Sequence, residues 1–567
     1  EKLFSAKGNV CLLNKLYSKL APSYDSEFYG DSEDASLPRI CANELGAQVN
    51  EWTQDRSLKI LDVGCGTGLV AGNLRHNGLK AVIHGMDSCD DMLEIARSKG
   101  HYDCLFKAEL GPPLDDFQCD TYDAIACVGL FMPGHCGPEC FSECVRVAKP
   151  GGFIVFSLPD GDYTDKDSTW REELDGLEDT GVCSIECSSS PQVLFENNGN
   201  PIFHRIVVLK VSQNKYPVPL PEFVGAVKRA ASASKGEKQF QYRFLYNTPG
   251  MFLFEKYMAE KVSGGSARAY NKRCEMEILK SSMLLDVDPE GCGATREIIE
   301  LGHGTGTKIC AVLQCLLDQG VDRKLFKGLI YRPMDITKGA CIFRTRDVLG
   351  MFPEISIRPI VVDFFESLRK LKEEALEISN NSKQHSRCLF FLGGTLGNYE
   401  TANEMVNLLH EVKNVLNSGD RVFIGTDLHK DEDILLSAYN SGKANTRWWL
   451  NIIRQLNHAF GAKPPLDVSV DVWSTQTSYN FVGESHPNYV DYVITSLRRQ
   501  EAELTRPAEM AGTKIVFEEG EVVRVGRGCK FTTTFFDNLC KQAGLIKVAT
   551  HCDSQHYVGI QELALSE

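Results

Sequence analysis

Ile298-Ile299-Glu300-Leu301-Gly302-His303-Gly304-Thr305-Gly306-Thr307-Lys308 decides how this chain folds, because it holds a buried-strand run, a glycine turn and a helix start in one short stretch. Ile298, Ile299 and Leu301 suit a parallel strand. Gly302, Gly304 and Gly306 permit the tight turn and the close backbone approach that a bound adenosine group needs. Far upstream, Lys59-Ile60-Leu61-Asp62-Val63-Gly64-Cys65-Gly66-Thr67-Gly68-Leu69 writes the same arrangement a second time. One chain is therefore expected to carry two nucleotide-like cofactor sites.

The residues after each turn choose between cofactors. Val82-Ile83-His84-Gly85-Met86-Asp87 and Leu329-Ile330-Tyr331-Arg332-Pro333-Met334-Asp335 both end on an acid. A carboxylate there can accept hydrogen bonds from both ribose hydroxyls, which would also suit NAD. The glycines, however, read G-x-G-x-G after an acid (Asp62; Glu300) and lack the spacing that sets a helix N-terminus on a pyrophosphate. S-adenosylmethionine has no phosphate, so the pattern favours it, with one molecule per site and S-adenosylhomocysteine as product.

Composition bounds the alternatives. The chain has 567 residues, 43% of them hydrophobic, and only 22 prolines, as expected for two to four well-cored α/β domains. Its formal charge of −15, without a long basic run, makes it a poor electrostatic partner for nucleic acid or an anionic membrane. A small-molecule substrate fits better. No apolar run approaches the roughly 18 residues of a membrane span, and the N-terminal stretch has no signal-peptide core. Twenty-one cysteines, an odd number scattered through apolar segments, suggest a reducing cytoplasm rather than a disulfide framework. His135, Cys136, Cys140, Cys144, Cys183 and Cys187 form the one cluster with metal-ligand residue types. Cys140, Cys144 and Val147 share a helix face, as expected for thiols packed as small hydrophobes, so no metal is expected.

In chain order, residues 10–56 read as mostly helical. Strands and helices then alternate: strand 59–63, a helix from 68, strand 81–86, helix 90–98, strand 122–128, helix 138–147 and strand 153–157. Such alternation predicts a Rossmann-like sheet with helices on both faces and ligands at the carboxyl ends of its strands. Residues 1–212 are expected to form this first domain. Residues 213–237, with Pro217, Pro219, Pro221 and the run Ala230-Ala231-Ser232-Ala233-Ser234, read as a linker. Residues 238–567 then form a larger domain, with helices over 252–261 and 275–282 before the second glycine turn.

Asp62 to Gly68, Asp87, Tyr122-Asp123-Ala124-Ile125 and Lys149-Pro150-Gly151-Gly152 together resemble class I S-adenosylmethionine-dependent methyltransferases. Val128-Gly129-Leu130 and the ending near Val211 look most like the small methyltransferase-like proteins of the Williams-Beuren region. This resemblance implies that Asp62, Gly64, Gly66, Gly68, Asp87, Ser88 and Met92 hold the cofactor.

The second domain carries Phe390-Phe391-Leu392-Gly393-Gly394-Thr395-Leu396-Gly397-Asn398-Tyr399, then Gly425-Thr426-Asp427-Leu428-His429-Lys430-Asp431, then Gly520-Glu521 with Cys529-Lys530-Phe531. These motifs resemble the histidine-specific methyltransferase family. Its members trimethylate the α-amine of amino acids to betaines on the way to ergothioneine, and it has relatives acting on tryptophan derivatives and tyrosine. The resemblance implies cofactor contacts from Gly302, Gly304, Lys308, Asp335, Asp363, Phe364 and Gly393. It implies that Asn398 and Tyr439 hold the reacting amine, with Tyr246 and Tyr270 beside it.

Methyl transfer to an amine is an in-line displacement that asks the protein for positioning, desolvation and a neutral lone pair, and neutral side chains such as Asn398 and Tyr439 suit that task. The chain departs from the family in Arg524-Val525-Gly526-Arg527-Gly528-Cys529, where Gly526 and Gly528 replace the glutamate and serine that hold an imidazole, and at Thr495, which replaces a methionine. Losing those grips costs about 1 to 3 kcal/mol per buried polar group left without its partner. Unmodified histidine is therefore expected to be a poor substrate, and a bulkier or pre-modified aromatic amino acid is expected to use enlarged space at the two glycines. The sequence supports a bifunctional small-molecule methyltransferase. It leaves open one active domain with a regulatory or scaffolding partner, a protein methyltransferase, and the oligomeric state.

Overall fold

A computed structural model describes residues 10–28, 36–49, 57–111, 114, 116–132, 135–165, 168–179, 181–197, 200–213, 215–216, 219–246, 250, 253–254, 257, 270–281, 284–285, 295–304, 306–335, 345–361, 366, 368–372, 386–428, 430–439 and 443–565. The chain divides into two compact units, residues 1–218 and 219–567.

In the first unit, strands β1 (Leu58–Val63), β2 (Ala81–Asp87), β3 (Cys104–Lys107), β4 (Tyr122–Cys127), β5 (Ala148–Pro159), β6 (Cys183–Ser188), β7 (Gln192–Asn197) and β8 (Asn200–Val211) form one sheet. Its order is β3-β2-β1-β4-β5-β8-β6, with β7 on β8. The first five strands are parallel, and β6, β7 and β8 are antiparallel additions that the periodicity of the sequence did not disclose. Alternate residues feed opposite faces. Leu61, Val63, Ile125 and Phe156 join one core, while Ile60, Ala124, Ala126 and Val155 join the other.

The second unit repeats the plan. Strands β9 (Thr295–Leu301), β10 (Ile330–Asp335), β11 (Ser356–Ile357), β12 (Ile360–Val361), β13 (Ser386–Phe391), β14 (Arg421–Asp427), β15 (Trp473–Asn480), β16 (Asn488–Ser496), β17 (Gln500–Glu503), β18 (Lys514–Phe517), β19 (Val522–Lys530), β20 (Leu545–Cys552) and β21 (Val558–Leu565) follow in order. The main sheet runs β11-β10-β9-β13-β14-β21-β20, with β12 on β10. Ile298, Phe390 and Phe423 face one core, and Ile299, Leu301, Phe391 and Ile424 the other. An added subdomain, the sheet β15-β16-β19 with the β17-β18 hairpin, has a third core of its own built around Trp448, Trp449, Tyr492 and Phe517.

The segment read as a linker is largely structure. Pro221–Ser232 is a helix whose Phe223, Val224, Ala226, Val227 and Ala230 are buried in that third core. The proline at its first turn, which suggested an extended tether, is a position helices favour. Most of the helix expected over 252–261 lies outside the described residues. Among the described residues, no helix is long and apolar enough to cross a membrane.

Candidate active site

Parallel register sets both turns. Val63 pairs with Met86 and Leu301 with Met334, so in each unit the acid that ends the second strand lies beside the glycine turn that follows the first. Asp87 Oδ2 accepts from Gly66 N at 2.9 Å, and Asp335 Oδ2 accepts from Gly304 N at 3.3 Å. Gly66 (φ 51°) and Gly304 (φ 57°) are left-handed, and a Cβ at either would meet nothing within 4 Å. This cradle of open backbone beside a carboxylate fits an adenosylated ligand. Each carboxylate oxygen has two acceptor positions, so Asp87, which also takes Cys89 N at 2.9 Å, keeps capacity for a ribose. Burial pushes the Asp87 carboxyl up, and the backbone N–H groups of Cys89, Gly66 and Ser88 oppose it.

The acid before each turn is buried and tied to a tyrosine. Tyr102 Oη donates to Asp62 at 2.6 Å, and burial, only partly offset by that hydrogen bond, pushes the Asp62 carboxyl up to about 7. Tyr331 Oη donates to Glu300 and lies 2.6 Å from His303 Nδ1. These tyrosine partners were not visible in the sequence.

Ser88 exchanges two hydrogen bonds with Asn14, and Met92 is buried with Ala21 and Cys89 under Tyr17 and Tyr24. In the second unit, Lys308 Nζ lies 3.3 Å from Glu275 Oε2, and Glu275 Oε1 accepts from Gly393 N at 2.7 Å. Lys308 and Gly393 are thus brought together by Glu275, a residue given no role by the sequence. Gly302, with φ 77°, donates its N–H to the Met334 carbonyl at 2.8 Å. Asp363 and Phe364 lie outside the described residues, and Tyr439 ends the helix Glu432–Tyr439 with its side chain outside them.

Tyr270 is buried, and its hydroxyl donates to Asp427 at 2.9 Å. Asp427 also accepts from Asn271 at 2.9 Å, Lys430 at 2.6 Å and Lys530 at 2.5 Å. Burial pushes this carboxyl up, but the two ammonium groups outweigh it and hold Asp427 well below the usual carboxylate range. Asp427 and Lys430, quoted in the sequence only as motif letters, are what fixes Tyr270: Lys430 Nζ also donates to the Tyr270 hydroxyl at 3.1 Å, and Lys530, a third motif letter, acts on it through Asp427. Asn398 closes the turn Thr395–Asn398, which runs close against β19: a Cβ at Gly397 would stand 3.0 Å from the Cys529 carbonyl. Tyr246 packs against Tyr242, Phe254 and Trp448.

Gly526 and Gly528 do not enlarge the space. A Cβ at Gly526 would overlap the Tyr242 ring, and one at Gly528 would overlap the Tyr492 hydroxyl. Gly526 pairs with Tyr492 across β19 and β16, and Tyr242 and Tyr492 face each other at 5.3 Å. The expectation of enlarged space at the two glycines is corrected: the Tyr492 hydroxyl stands where a side chain at 528 would begin, and the Tyr242 ring stands where one at 526 would begin. Thr495 pairs with Val522 and stands apart from them, about 10 Å along β16 from Tyr492.

Cys140 and Cys144 are buried in the first unit, and Cys136 and Cys140 direct their thiols to the Leu110 carbonyl at 3.4 and 3.8 Å. Among the described residues no group of three His, Cys, Asp or Glu is arranged to hold a metal ion.

Comparison with known proteins gives this geometry its context. Residues 227–565 match the family described as "Histidine-specific methyltransferase, SAM-dependent", and residues 61–156 match "Methyltransferase domain". An L-tryptophan methyltransferase of Psilocybe serbica is 23% identical over 363 residues, covering 62% of this chain and 95% of that protein. The histidine N-alpha-methyltransferase of Mycolicibacterium smegmatis is 25% identical over 302 residues, covering 53% of this chain and 82% of that protein. Methyltransferase-like protein 27 of Homo sapiens is 35% identical over 160 residues, covering 27% of this chain and 61% of that protein.

Proposed function

The chain belongs to the histidine-specific, S-adenosylmethionine-dependent methyltransferase family, an enzyme with two methyltransferase domains in tandem, and from that premise we propose that both domains are active on one small metabolite. The C-terminal domain methylates the α-amine of an aromatic or histidine-derived amino acid to a betaine. The N-terminal domain methylates a second position of the same compound. We place the boundary between them near residue 218. The observation that carries this reading is the repeated grip of an acid on the second glycine N–H, Asp87 on Gly66 and Asp335 on Gly304, each beside an open cradle.

S-adenosylmethionine supplies an electrophilic methyl on a sulfonium. The chain supplies position. In the N-terminal domain Asp62, Gly64, Gly66, Gly68, Asp87, Ser88 and Met92 would hold it, and in the C-terminal domain Gly302, Gly304, Lys308, Asp335 and Gly393. Asn398 and Tyr439 would orient the amine as neutral partners, so that its lone pair is not locked as ammonium. Tyr270, fixed by Asp427, would wall the amine side. Tyr242 and Tyr492 would line the side-chain end with an aromatic face and one hydroxyl, which suits an aromatic ring better than a bare imidazole. Incubating the chain with isotope-labelled S-adenosylmethionine and histidine, tryptophan, tyrosine and their N-methylated forms, then reading product mass, tests the proposal. Products carrying methyl groups at both the amine and a second site are expected; methylation at one site with every substrate would overturn the bifunctional reading.

A further inference from the structure

The N-terminal domain has a second set of polar residues around its cofactor turn. The helix Val10–Leu20 presents Asn14, Tyr17 and Ser18 on one face, at the spacing where helical side chains are neighbours. All three meet segments that follow the parallel strands. Asn14 Nδ2 donates to the Ser88 carbonyl at 3.0 Å, and Ser88 Oγ donates to Asn14 Oδ1 at 2.8 Å. Ser18 Oγ lies 3.5 Å from Cys89 Sγ, and Tyr17 Oη lies 2.7 Å from His135 Nε2. His135 belongs to the segment after β4, whose next residue, Cys136, reaches the Leu110 carbonyl beyond β3. On the following helix, Asp25 takes a hydrogen bond from Thr67 inside the glycine turn and pairs with Lys99 at 2.5 Å.

Tyr17 and His135 therefore stand where the carboxyl ends of β1 to β4 converge, beside Asp87. Asn14 with Ser88 and Asp25 with Thr67 already pin the two helices there, so a Tyr–His pair is not needed as a latch. Burial, with Tyr24, Asp87, Cys136 and Cys89 as its neighbours, raises the Tyr17 hydroxyl well above its ordinary value, so Tyr17 stays protonated unless one proton arrives as another leaves.

We propose that Tyr17 and His135 form a proton relay and that the N-terminal domain methylates a hydroxyl group. This rests on the reading that the N-terminal domain transfers methyl. An amine attacks with a lone pair and releases its proton afterwards, whereas a hydroxyl is a poor nucleophile until its proton has a destination. In the step, the substrate oxygen bonds to the methyl carbon as the carbon–sulfur bond breaks and leaves its electron pair on sulfur, giving a neutral thioether. The substrate proton passes to Tyr17 Oη while the proton of Tyr17 passes to His135 Nε2. Tyr17 ends neutral and His135 ends as imidazolium.

The test reads His135 directly in the full chain. Histidine is labelled with 13C at Cε1, the His135 signal is identified by its loss in His135→Gln, and its pH titration is followed by NMR with S-adenosylmethionine and with S-adenosylhomocysteine. A relay aimed at the transferred methyl faces a positive sulfonium in the first complex and a neutral sulfur in the second. The midpoint is therefore expected to be lower with S-adenosylmethionine by about one pH unit. Should His135→Gln not fold, Tyr17→Phe identifies the same signal, because it removes the partner at 2.7 Å. Equal midpoints in a chain whose N-terminal domain binds both ligands would overturn the relay and leave the bifunctional reading standing. An N-terminal domain that binds neither ligand would overturn that reading, and the relay with it.

Discussion

The turn after β1 and the turn after β9 solve one problem with the same backbone and different side chains. Each sets a left-handed glycine over open space and holds its N–H with an acid from the neighbouring strand, at 2.9 Å in the first and 3.3 Å in the second. They part at the acid that precedes the turn. Asp62 has one hydroxyl partner, Tyr102, and rises to about 7, whereas Glu300 shares Tyr331 with His303. The surroundings differ too: helices carrying Tyr17 and Asp25 beside the first turn, and Lys308 with Glu275 after the second. The backbone geometry belongs to the cofactor, and the side chains around it belong to each domain's own chemistry.

The strongest challenge to that division is Gly526→Glu combined with Gly528→Ser. If the C-terminal pocket is shaped by Tyr242 and Tyr492, both new side chains overlap a tyrosine, and overpacking at about 1 to 3 kcal/mol per site should lower the unfolding midpoint in denaturant. Histidine kcat/KM should not rise. A stable double mutant that prefers histidine would mean the tyrosines yield.

Asp62→Asn sharpens the contrast between the preceding acids. The ordinary aspartate value is about 3.9, and Asp62 in the folded chain is at about 7. Between those values the folded state holds a proton that the unfolded state has released, so folded stability falls as pH rises through that window and is level above it. Asparagine keeps an acceptor for Tyr102 and carries no charge. Without cofactor, the variant should match the parent near pH 4 and exceed it above pH 7 by up to about 4 kcal/mol, at about 1.4 kcal/mol per pH unit of difference. Thermal unfolding across pH measures this; parallel curves for parent and variant would contradict it.

Asn398→Ala probes the independence of the two sites. Loss of the group that aims the amine should lower α-amine methylation on the order of 10²-fold while leaving N-terminal transfer and cofactor affinity unchanged. Product mass for each transfer separates the outcomes, and equal loss of both would indicate one composite site.

Much of this is legible in the sequence alone. Ile298, Ile299 and Leu301 alternate between two cores as a doubly covered strand requires, and Asp87 and Asp335 stand at the strand ends where the sequence set them. What escaped was distant in the chain. Nothing local in Gly526 reveals that Tyr242 fills its place, since the two are brought together only by the fold. Glu275 joins Lys308 to Gly393 from a helix that in sequence is only a preface. The helix Pro221–Ser232 had a readable signal in Phe223, Val224 and Val227, but its flanking prolines and small residues suggested a tether. Its apolar stripe was the better guide.

If one chain holds two separate cofactor sites, calorimetric titration of S-adenosylhomocysteine into the full chain will count them. The expected stoichiometry is two, falling to one in Asp87→Ala and to one in Asp335→Ala. A stoichiometry of one in the parent, unchanged by Asp87→Ala, would contradict two separate sites.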